Sequence, residues 1–438
     1  MSTATATRWH NWARNVEARP VALVGPTSTE ELAAVVRDAA ENGHTVKAIG
    51  AGHSFTSIAA TDGVQVNLEG MRGLLSVDRE RNRVRLAAGT HLWELPAIFE
   101  PLGLAMQNLG DIDRQSIAGA VSTGTHGTGL AFGGIATQVS GLTLVDGRGN
   151  TVLIDEHNSP ELLTGARIGL GALGVVTEVE LQLVPAFQLR AREARESLDA
   201  VIDGLDERVE HTDHFEFYWW PHTDVAMTKS NDRLPMDAPA KPVGRVAGYI
   251  EDRLLSNGAH RLMCDVGHAF PGLIPPINRM ATNVYGSREY IDRSTKVFTH
   301  PRTTRFRELE YAVPRASLPA ALAELRQAID RAGLQVSFPV EVRFAAADEN
   351  WLSTGFGRES AYIAVHRYWR DDHEPLLRLA DSVLRGFEGR PHWGKLHWLE
   401  ADDLRARYPR FDDFLALRNR LDPDRRFRND YLDRVLGD

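Results

Sequence analysis

Apolar residues recur at helical spacing across residues 27–43: Leu32, Val35, Val36 and Ala39 share one face, Ser28 and Glu31 form a capping box, and Gly43 ends the run. The spacing predicts a helix. The VKAIG segment behind it predicts a strand running straight into Gly50-Ala51-Gly52-His53-Ser54-Phe55-Thr56, and strand-like alternation resumes in GVQVNLEG and NRVRLAAG. A glycine loop therefore lies between strands. HLWELPAIFEPLGL reads as a second amphipathic helix, ended near Gly103. IDRQSIAGAVSTGTHGTG is too rich in glycine to pack as a regular element, and the alternating strands GLTLVDGRGNTVLI and LGVVTEVELQLVP follow it. The first domain closes near Pro185.

Beyond that point the chain becomes more aromatic and more charged. HFEFYWWPHTD predicts a strand, LPMDAPAKPVG a proline-rich loop, SLPAALAELRQAIDRAG a helix capped by Ser317, and QVSFPVEVRFAAAD and SAYIAVHRYW two further strands. Helices alternating with antiparallel strands make this a second α+β domain. From Pro375 onward the chain reads as helical and mixed in charge, with GRPHWGKLHW and RFRNDYL inside it. The expected division is 1–186, 187–375 and 376–438. No repeat occurs, and low complexity is confined to the MSTATAT start.

The 438 residues are 43% hydrophobic and 25% charged, enough apolar material for substantial cores and far from a disordered or fibrous composition. A net charge of -9 without a block of Lys or Arg argues against a nucleic-acid binder. The lone Cys264 allows no internal disulfide and excludes cysteine-rich zinc modules and iron–sulfur clusters, which fits a reducing, cytoplasmic setting. No stretch approaches the roughly 18 apolar residues of a membrane span, and the start lacks the basic and apolar regions of a signal peptide. Peripheral membrane contact leaves no compulsory signature and stays open.

Glycines let backbone N–H groups approach an anion closely, so the loop at residues 50–56 is a phosphate-cradle candidate. The nicotinamide fingerprint needs a third glycine and a helix directly behind the loop. Here Phe55 stands at the third position and no helical pattern follows, so a Rossmann domain is rejected. A turn using glycine only for its geometry is the competing reading. The second small-residue stretch offers Ser116, Gly119, Ser122, Thr123, Gly124, Thr125, His126, Gly127, Thr128 and Gly129. Two such loops framed by strands suit a long cofactor carrying a pyrophosphate and a flat ring; a surface loop is the alternative.

In order, GAGHSF, SIAGAVSTGTHGTG and LGVVTEVEL resemble the FAD domain of vanillyl-alcohol-oxidase-type flavoenzymes. With HFEFYWWPHTD, the EVR of Glu341-Val342-Arg343, the HWGK of residues 392–395 and the closing RFRNDYL, the chain is similar to the aldonolactone oxidoreductases over nearly its whole length. That resemblance implies a PCMH-like FAD-binding domain of two α+β subdomains, an α+β cap with an antiparallel sheet, and a C-terminal segment completing the site. It implies that Ile49, Gly50, Ala51, Gly52, His53 and Ser54 hold the FAD pyrophosphate, that Ser116, Gly119, Gly124, Thr128 and Gly129 line the flavin and its adenosine end, and that Val176 helps hold the cofactor. His53 stands where relatives attach the flavin 8α carbon to an imidazole, chemistry suited to a neutral ring nitrogen.

Glu341 and Arg343 lie two apart on a strand and so share one face. A solvated ion pair would explain them equally well on an arbitrary strand. Flanked by Val340, Val342 and Phe344, and in the light of the family, Glu341 is expected to orient substrate hydroxyls and Arg343 to stabilise the reduced flavin. Lys395 is expected near the flavin N1–C2=O edge, and Ser116 against substrate or flavin. His392 and His397 are candidates for proton removal, and Trp219, Trp220 and His222 for the sugar pocket, although an aromatic run is more often core. No metal is implied.

The expected reaction takes a secondary alcohol of a sugar-1,4-lactone to a ketone by hydride transfer to flavin N5. With L-gulono-1,4-lactone, oxidation at C2 gives a 2-keto lactone that tautomerises to ascorbate. Reoxidation by O2 would make an oxidase, reoxidation by a cytochrome or quinone a dehydrogenase. An alditol oxidase acting on open-chain polyols such as xylitol or sorbitol is the nearest alternative. A lactone hydrolase is disfavoured, since GxSxG and HExxH are absent and only a loose His211/His214 pair remains. A non-catalytic flavin or carbohydrate binder would need none of the Glu341, Arg343 and Lys395 charges.

Overall fold

The computed structural model describes residues 8–244, 258–284, 286–300 and 302–437; the MSTATAT start lies outside the described residues. Strands β1 (Ala22–Val24), β2 (Val46–Ile49) and β3 (Val64–Asn67) form a parallel sheet in the order β1-β3-β2, with helix α1 (Thr29–Glu41) linking β1 to β2. Ser28 caps α1 by accepting the Glu31 N–H, while the Glu31 carboxylate turns to the Thr27 N–H and hydroxyl rather than back to Ser28. The reciprocal half of the capping box thus sits one residue earlier than expected.

Strands β4 (Leu74–Asp78), β5 (Arg83–Ala87), β6 (Val139–Val145), β7 (Thr151–Asp155) and β8 (Val175–Gln182) make an antiparallel sheet in the order β7-β6-β8-β5-β4. Every residue of β6 is buried, whereas β8 alternates. Two expectations between these strands need correction. The segment around residues 91–103 is helical in three short pieces, an α-helical turn Leu95–Phe99 between 3-10 turns Leu92–Glu94 and Glu100–Leu102, with Pro96 and Pro101 at the starts of the last two pieces, and not one continuous amphipathic helix. The glycine-rich stretch does contain a regular element, helix α2 (Ile117–Ser122), capped by the Ser116 hydroxyl on the Gly119 N–H. Ile117, Ala118, Ala120 and Val121 are all buried, so the small side chains that argued against packing are what let this helix pack closely.

The second half is built on an eight-stranded antiparallel sheet of β9 (Phe187–Ser197), β10 (His214–Trp219), β11 (Val225–Pro235), β12 (Arg288–Arg293), β13 (Phe306–Pro314), β14 (Val340–Ala345), β15 (Ser360–Tyr368) and β16 (Arg390–Pro391), in the order β12-β9-β11-β10-β14-β15-β13-β16. Helices α3 (Leu318–Arg331) and α4 (Glu374–Arg385) cover one face, where Tyr311 of β13 donates to Asp381 of α4. Ser317 does not cap α3 with its side chain: a 3-10 turn, Arg315–Ser317, runs into the helix and Pro319 fixes its first turn.

The last stretch is not helical throughout, since β16 closes the sheet edge beside β13. The chain then returns to the first half. Arg426 O accepts the Val46 N–H at 2.8 Å, and the Asn429 amide, capping α5 (Asp430–Leu436), donates to the carbonyls of Ser57, Ile58 and Ala60. Among the described residues no helix is long and apolar enough to cross a membrane.

Candidate active site

The face of the large sheet turned away from α3 and α4 carries a row of buried and half-buried polar and charged groups set by strand register. Tyr218 of β10 pairs with Glu341 of β14, Glu341 with Ala364 of β15, and Ala364 with Glu310 of β13; in the neighbouring row His366 of β15 pairs with Glu308 of β13. Period-two alternation points Leu309 and Tyr311 toward the helices and Glu308 and Glu310 the other way. Tyr218, Glu308, Glu310, Glu341 and His366, with Arg343, Lys395 and His392, wall a cavity of about 1200 Å³, mouth included. Aromatic rings of Trp12, Phe55, Phe306 and Phe338 form its apolar side.

A second cavity, of about 890 Å³, runs under the glycine loop. It is walled by Ile49, Gly50, Ala51, Gly52, His53 and Ser54 on one side and by Ser116, Gly119, Leu170, Gly171 and Val176 on the other, with the Lys47 ammonium at its edge. His53, Ser54, Gln115 and Thr123 line both cavities, so the two join into one bent crevice at His53. The walls are cut close. A Cβ on Gly50 would stand 2.3 Å from the Ser116 hydroxyl oxygen, and Gly52 holds a left-handed φ of 68°. Small side chains, hydroxyls and backbone on this arm, meeting the larger chamber at His53, fit a dinucleotide.

The charges in the chamber are held by one another. Arg343 Nε lies 2.6 Å from Glu341 Oε1 and 2.9 Å from Glu216 Oε2. Burial pushes the Glu341 carboxyl above the usual carboxylate range. Lys395 is bonded to Glu308; burial presses its proton affinity down, yet Glu308 and Glu310 hold it above an ordinary lysine. Burial opposes charge on Glu308 too, but the Lys395 ammonium brings its pKa down to about 2. His366 Nδ1 faces the Pro339 carbonyl at 3.2 Å, leaving Nε2 in the chamber 3.5 Å from Glu308 and 3.9 Å from Glu341. Deeper in, His126 and His392 flank Glu310, with the ligand-type atoms of all three within 4.8 Å of one another. Burial holds His392 at about 3, and its Nδ1 accepts the Gly394 N–H.

His53 stacks on Trp12, ring centroids 5.3 Å apart. Burial, then the nearby Lys395 charge, lowers its pKa to about 4. Lys395 itself is delivered by a clasp: His392 N–H and Leu396 N–H bond the carbonyls of Glu310 and Glu308, and Phe55 N–H bonds Gly394 O at 2.7 Å. The HWGK segment thereby ties the glycine loop to β13.

Several expected positions lie elsewhere. Gly124, Thr128 and Gly129 are in neither cavity wall. Thr128 donates to Phe215 O and accepts the Phe344 N–H, and Gly129 N–H bonds Phe344 O, so this pair stitches the first half of the chain to the large sheet. Ser116 lines the narrow arm rather than the charged chamber. Trp219 is buried with its indole N–H on Thr223 O, and His222 accepts the Val336 N–H; neither they nor Trp220 wall the chamber, where Tyr218 stands instead. His397 is buried against the Tyr431 hydroxyl, away from both cavities. The sequence reading passed over Glu308, Glu310, His366 and Tyr218. Their signal was present: FRELEYAVP sets two carboxylates on one side of an apolar strand, and AYIAVHRYW sets a histidine in another.

A family model described as D-arabinono-1,4-lactone oxidase matches residues 179–435, and one described as FAD binding domain matches residues 20–155. The chain is 42% identical to an L-gulono-1,4-lactone dehydrogenase of Mycobacterium tuberculosis, over 98% of this chain and 99% of that one. It is 33% identical to an L-gulonolactone oxidase of Bos taurus, over 98% of each, and 33% identical to an alditol oxidase of Streptomyces over the full length of both. Among solved structures, cholesterol oxidase from B. sterolicum superposes with a TM-score of 0.83 at 18% identity, covering 98% of this chain and 96% of that one. That likeness shows the fold alone, an α+β architecture shared with that structure over nearly the whole chain. With the FAD-binding model on the narrow arm and the lactone-oxidase model spanning the charged chamber, the chain belongs to the D-arabinono-1,4-lactone oxidase family of FAD-dependent oxidoreductases.

Proposed function

We propose that this protein oxidises a secondary alcohol of a sugar-1,4-lactone, with L-gulono-1,4-lactone as the leading substrate, and that Glu341, Arg343, His366 and Lys395 act on the reacting carbon and its hydroxyl. The carrying observation is the single sheet face on which those groups converge at the bend of the crevice. Residues 49–54, Ser116, Gly119 and Val176 would hold FAD along the narrow arm. When bound, FAD supplies the acceptor for the electron pair leaving the substrate carbon.

Glu341, steadied by Arg343 and by the Tyr218 hydroxyl at 3.4 Å, orients the substrate hydroxyls. His366 takes the hydroxyl proton at Nε2, because its Nδ1 is committed to the Pro339 carbonyl. Glu308 and Glu341 face the charge the ring gains. Lys395 and Arg343 are fixed cations beside the oxygen that becomes negative, pre-oriented by buried partners and therefore needing little reorganisation. The aromatic side excludes water from the sugar ring. We assign His53 as the covalent attachment point of FAD, since its neutral ring at the bend is available as a nucleophile.

A rapid-mixing experiment without O2 tests the reading: L-gulono-1,4-lactone should bleach the flavin, and xylitol and sorbitol should not. Bleaching by the polyols alone would move the enzyme to the alditol oxidases. Admitting O2, or a soluble dye acceptor, to the reduced enzyme then separates oxidase from dehydrogenase; the dehydrogenase named at 42% identity gives the second outcome precedence.

A further inference from the structure

We infer that Glu308 is the positioning residue of the chamber, the buried carboxylate that holds Lys395 and His366 in register for the lactone. This rests on the lactone-oxidation reading above. Its two oxygens are divided between two groups: Oε2 is bonded to Lys395 Nζ, and Oε1 lies 3.5 Å from His366 Nε2. Its backbone repeats the grip, since Glu308 O accepts the Leu396 N–H at 2.9 Å and so fixes the chain next to Lys395. His366 is its direct cross-strand partner, so the side-chain contact is built into the β13–β15 register. No other carboxylate described in the chamber touches both groups. Glu341 reaches His366 only at 3.9 Å and is committed to Arg343, Glu310 is bonded to His126, and Asp111 to Arg302 and His300.

The geometry assigns Glu308 two effects. It keeps the ammonium of Lys395 charged within an otherwise desolvated wall, and it aims a flexible four-carbon side chain at one point, where misplacement by about 1 Å can cost on the order of 100-fold in rate. The described groups facing Lys395 from the other packed elements are Glu308, Glu310, Glu341, His53 and the Phe55 ring, and among these Glu308 alone hydrogen-bonds it.

Two variants of the holoenzyme test this, with initial rates read within seconds of mixing so that alkaline opening of the lactone does not intervene. Glu308→Gln keeps size and hydrogen bonding but removes the charge. Its kcat should fall about 10-fold or more, and a new alkaline limb should enter the pH–kcat profile at least about one pH unit below any wild-type limb, as Lys395 loses its counter-charge. Visible flavin absorbance should stay at wild-type occupancy, which separates positioning from a general loss of structure. Glu308→Asp keeps the charge and withdraws it by one methylene; kcat should fall while the limb stays as in wild type. If Glu308→Gln sheds its flavin, Glu308→Asp decides alone: wild-type kcat there overturns the assignment. Wild-type kcat and pH profile in Glu308→Gln also overturn it, and leave the lactone reading intact provided that wild-type enzyme turns the lactone over. A wild-type enzyme that is yellow but inert to every lactone removes that reading instead.

Discussion

Glu341 and Arg343 are bonded to each other at 2.6 Å on one face of β14, and Glu216 on β10 closes the other side of the guanidinium at 2.9 Å. The arrangement predicts different costs for its two ends. Arg343→Ala leaves two buried carboxylates facing an empty place, a loss of about 3–5 kcal/mol that a urea titration of the holoenzyme should show. Glu341→Gln keeps its volume and one polar contact. It should unfold close to wild type while losing roughly 100-fold or more in kcat/KM for the lactone. Equal damage to stability from the two changes would mean that Glu341 belongs to the scaffold and not to the chemistry.

His53 offers a chemical prediction. With its pKa near 4, the imidazole is uncharged at every pH at which the enzyme would be assayed, and it sits where the two arms of the crevice meet. After acid precipitation the yellow colour should stay with the wild-type pellet and pass into the supernatant for His53→Ala. Colour released from wild type, or retained by the variant, removes the covalent assignment without touching the rest of the site.

Lys47 predicts a pH dependence of stability. It is buried at the edge of the narrow arm with its ammonium on the Gly171 and Phe427 carbonyls, and burial lowers its pKa to about 7. Between about pH 7 and the usual lysine value near 10.4 the unfolded chain holds a proton that the folded chain lacks, so this group's contribution rises with pH across that window. Relative to Lys47→Met, wild type should therefore gain stability from pH 7 to pH 9, by at most about 1.4 kcal/mol per pH unit. Parallel curves for the two proteins would show that Lys47 keeps its proton inside the fold.

What the sequence disclosed and what it hid follow from the range of the forces involved. Helix α1, the strand into the glycine loop and the Glu341/Arg343 face were legible because periodicity and local capping decide them. Helix α2 was missed because glycine content is a weak prior that the Ser116 cap and burial against β8 override. Glu308 and His366 were passed over because their meaning lies in cross-strand register, between residues 58 positions apart, which no local window carries. Thr128 was misplaced for the same reason: a hydroxyl in a small-residue run looks like ligand lining until its partners, Phe215 and Phe344, arrive from the other half of the chain.

Thr128 carries its own prediction. Thr128→Val keeps the shape but strands the Phe344 N–H and removes a donor from the Phe215 carbonyl, both buried. A loss of about 1–3 kcal/mol in stability is expected, with KM for the lactone and flavin occupancy near wild type. Thr128→Ser, which keeps the hydroxyl, should recover most of it. A selective loss of flavin in the valine variant would return Thr128 to the cofactor wall.

Gly50 tests the fit of the narrow arm itself. Its φ does not lie in the left-handed region, so backbone strain does not demand glycine here; the demand is steric, a Cβ 2.3 Å from Ser116 Oγ. Gly50→Ala must push Ser116 away, and that hydroxyl caps α2 through the Gly119 N–H, so the clash costs the cap, about 1 kcal/mol, and shifts the two walls that line the arm. Flavin occupancy should fall. The collision is with one side chain and not with backbone, so Gly50→Ala combined with Ser116→Gly should regain occupancy beyond what the two single changes predict additively, because glycine tolerates the cap position and vacates the contested space. Purely additive losses would place the obstruction in the cofactor's own path instead of in the wall.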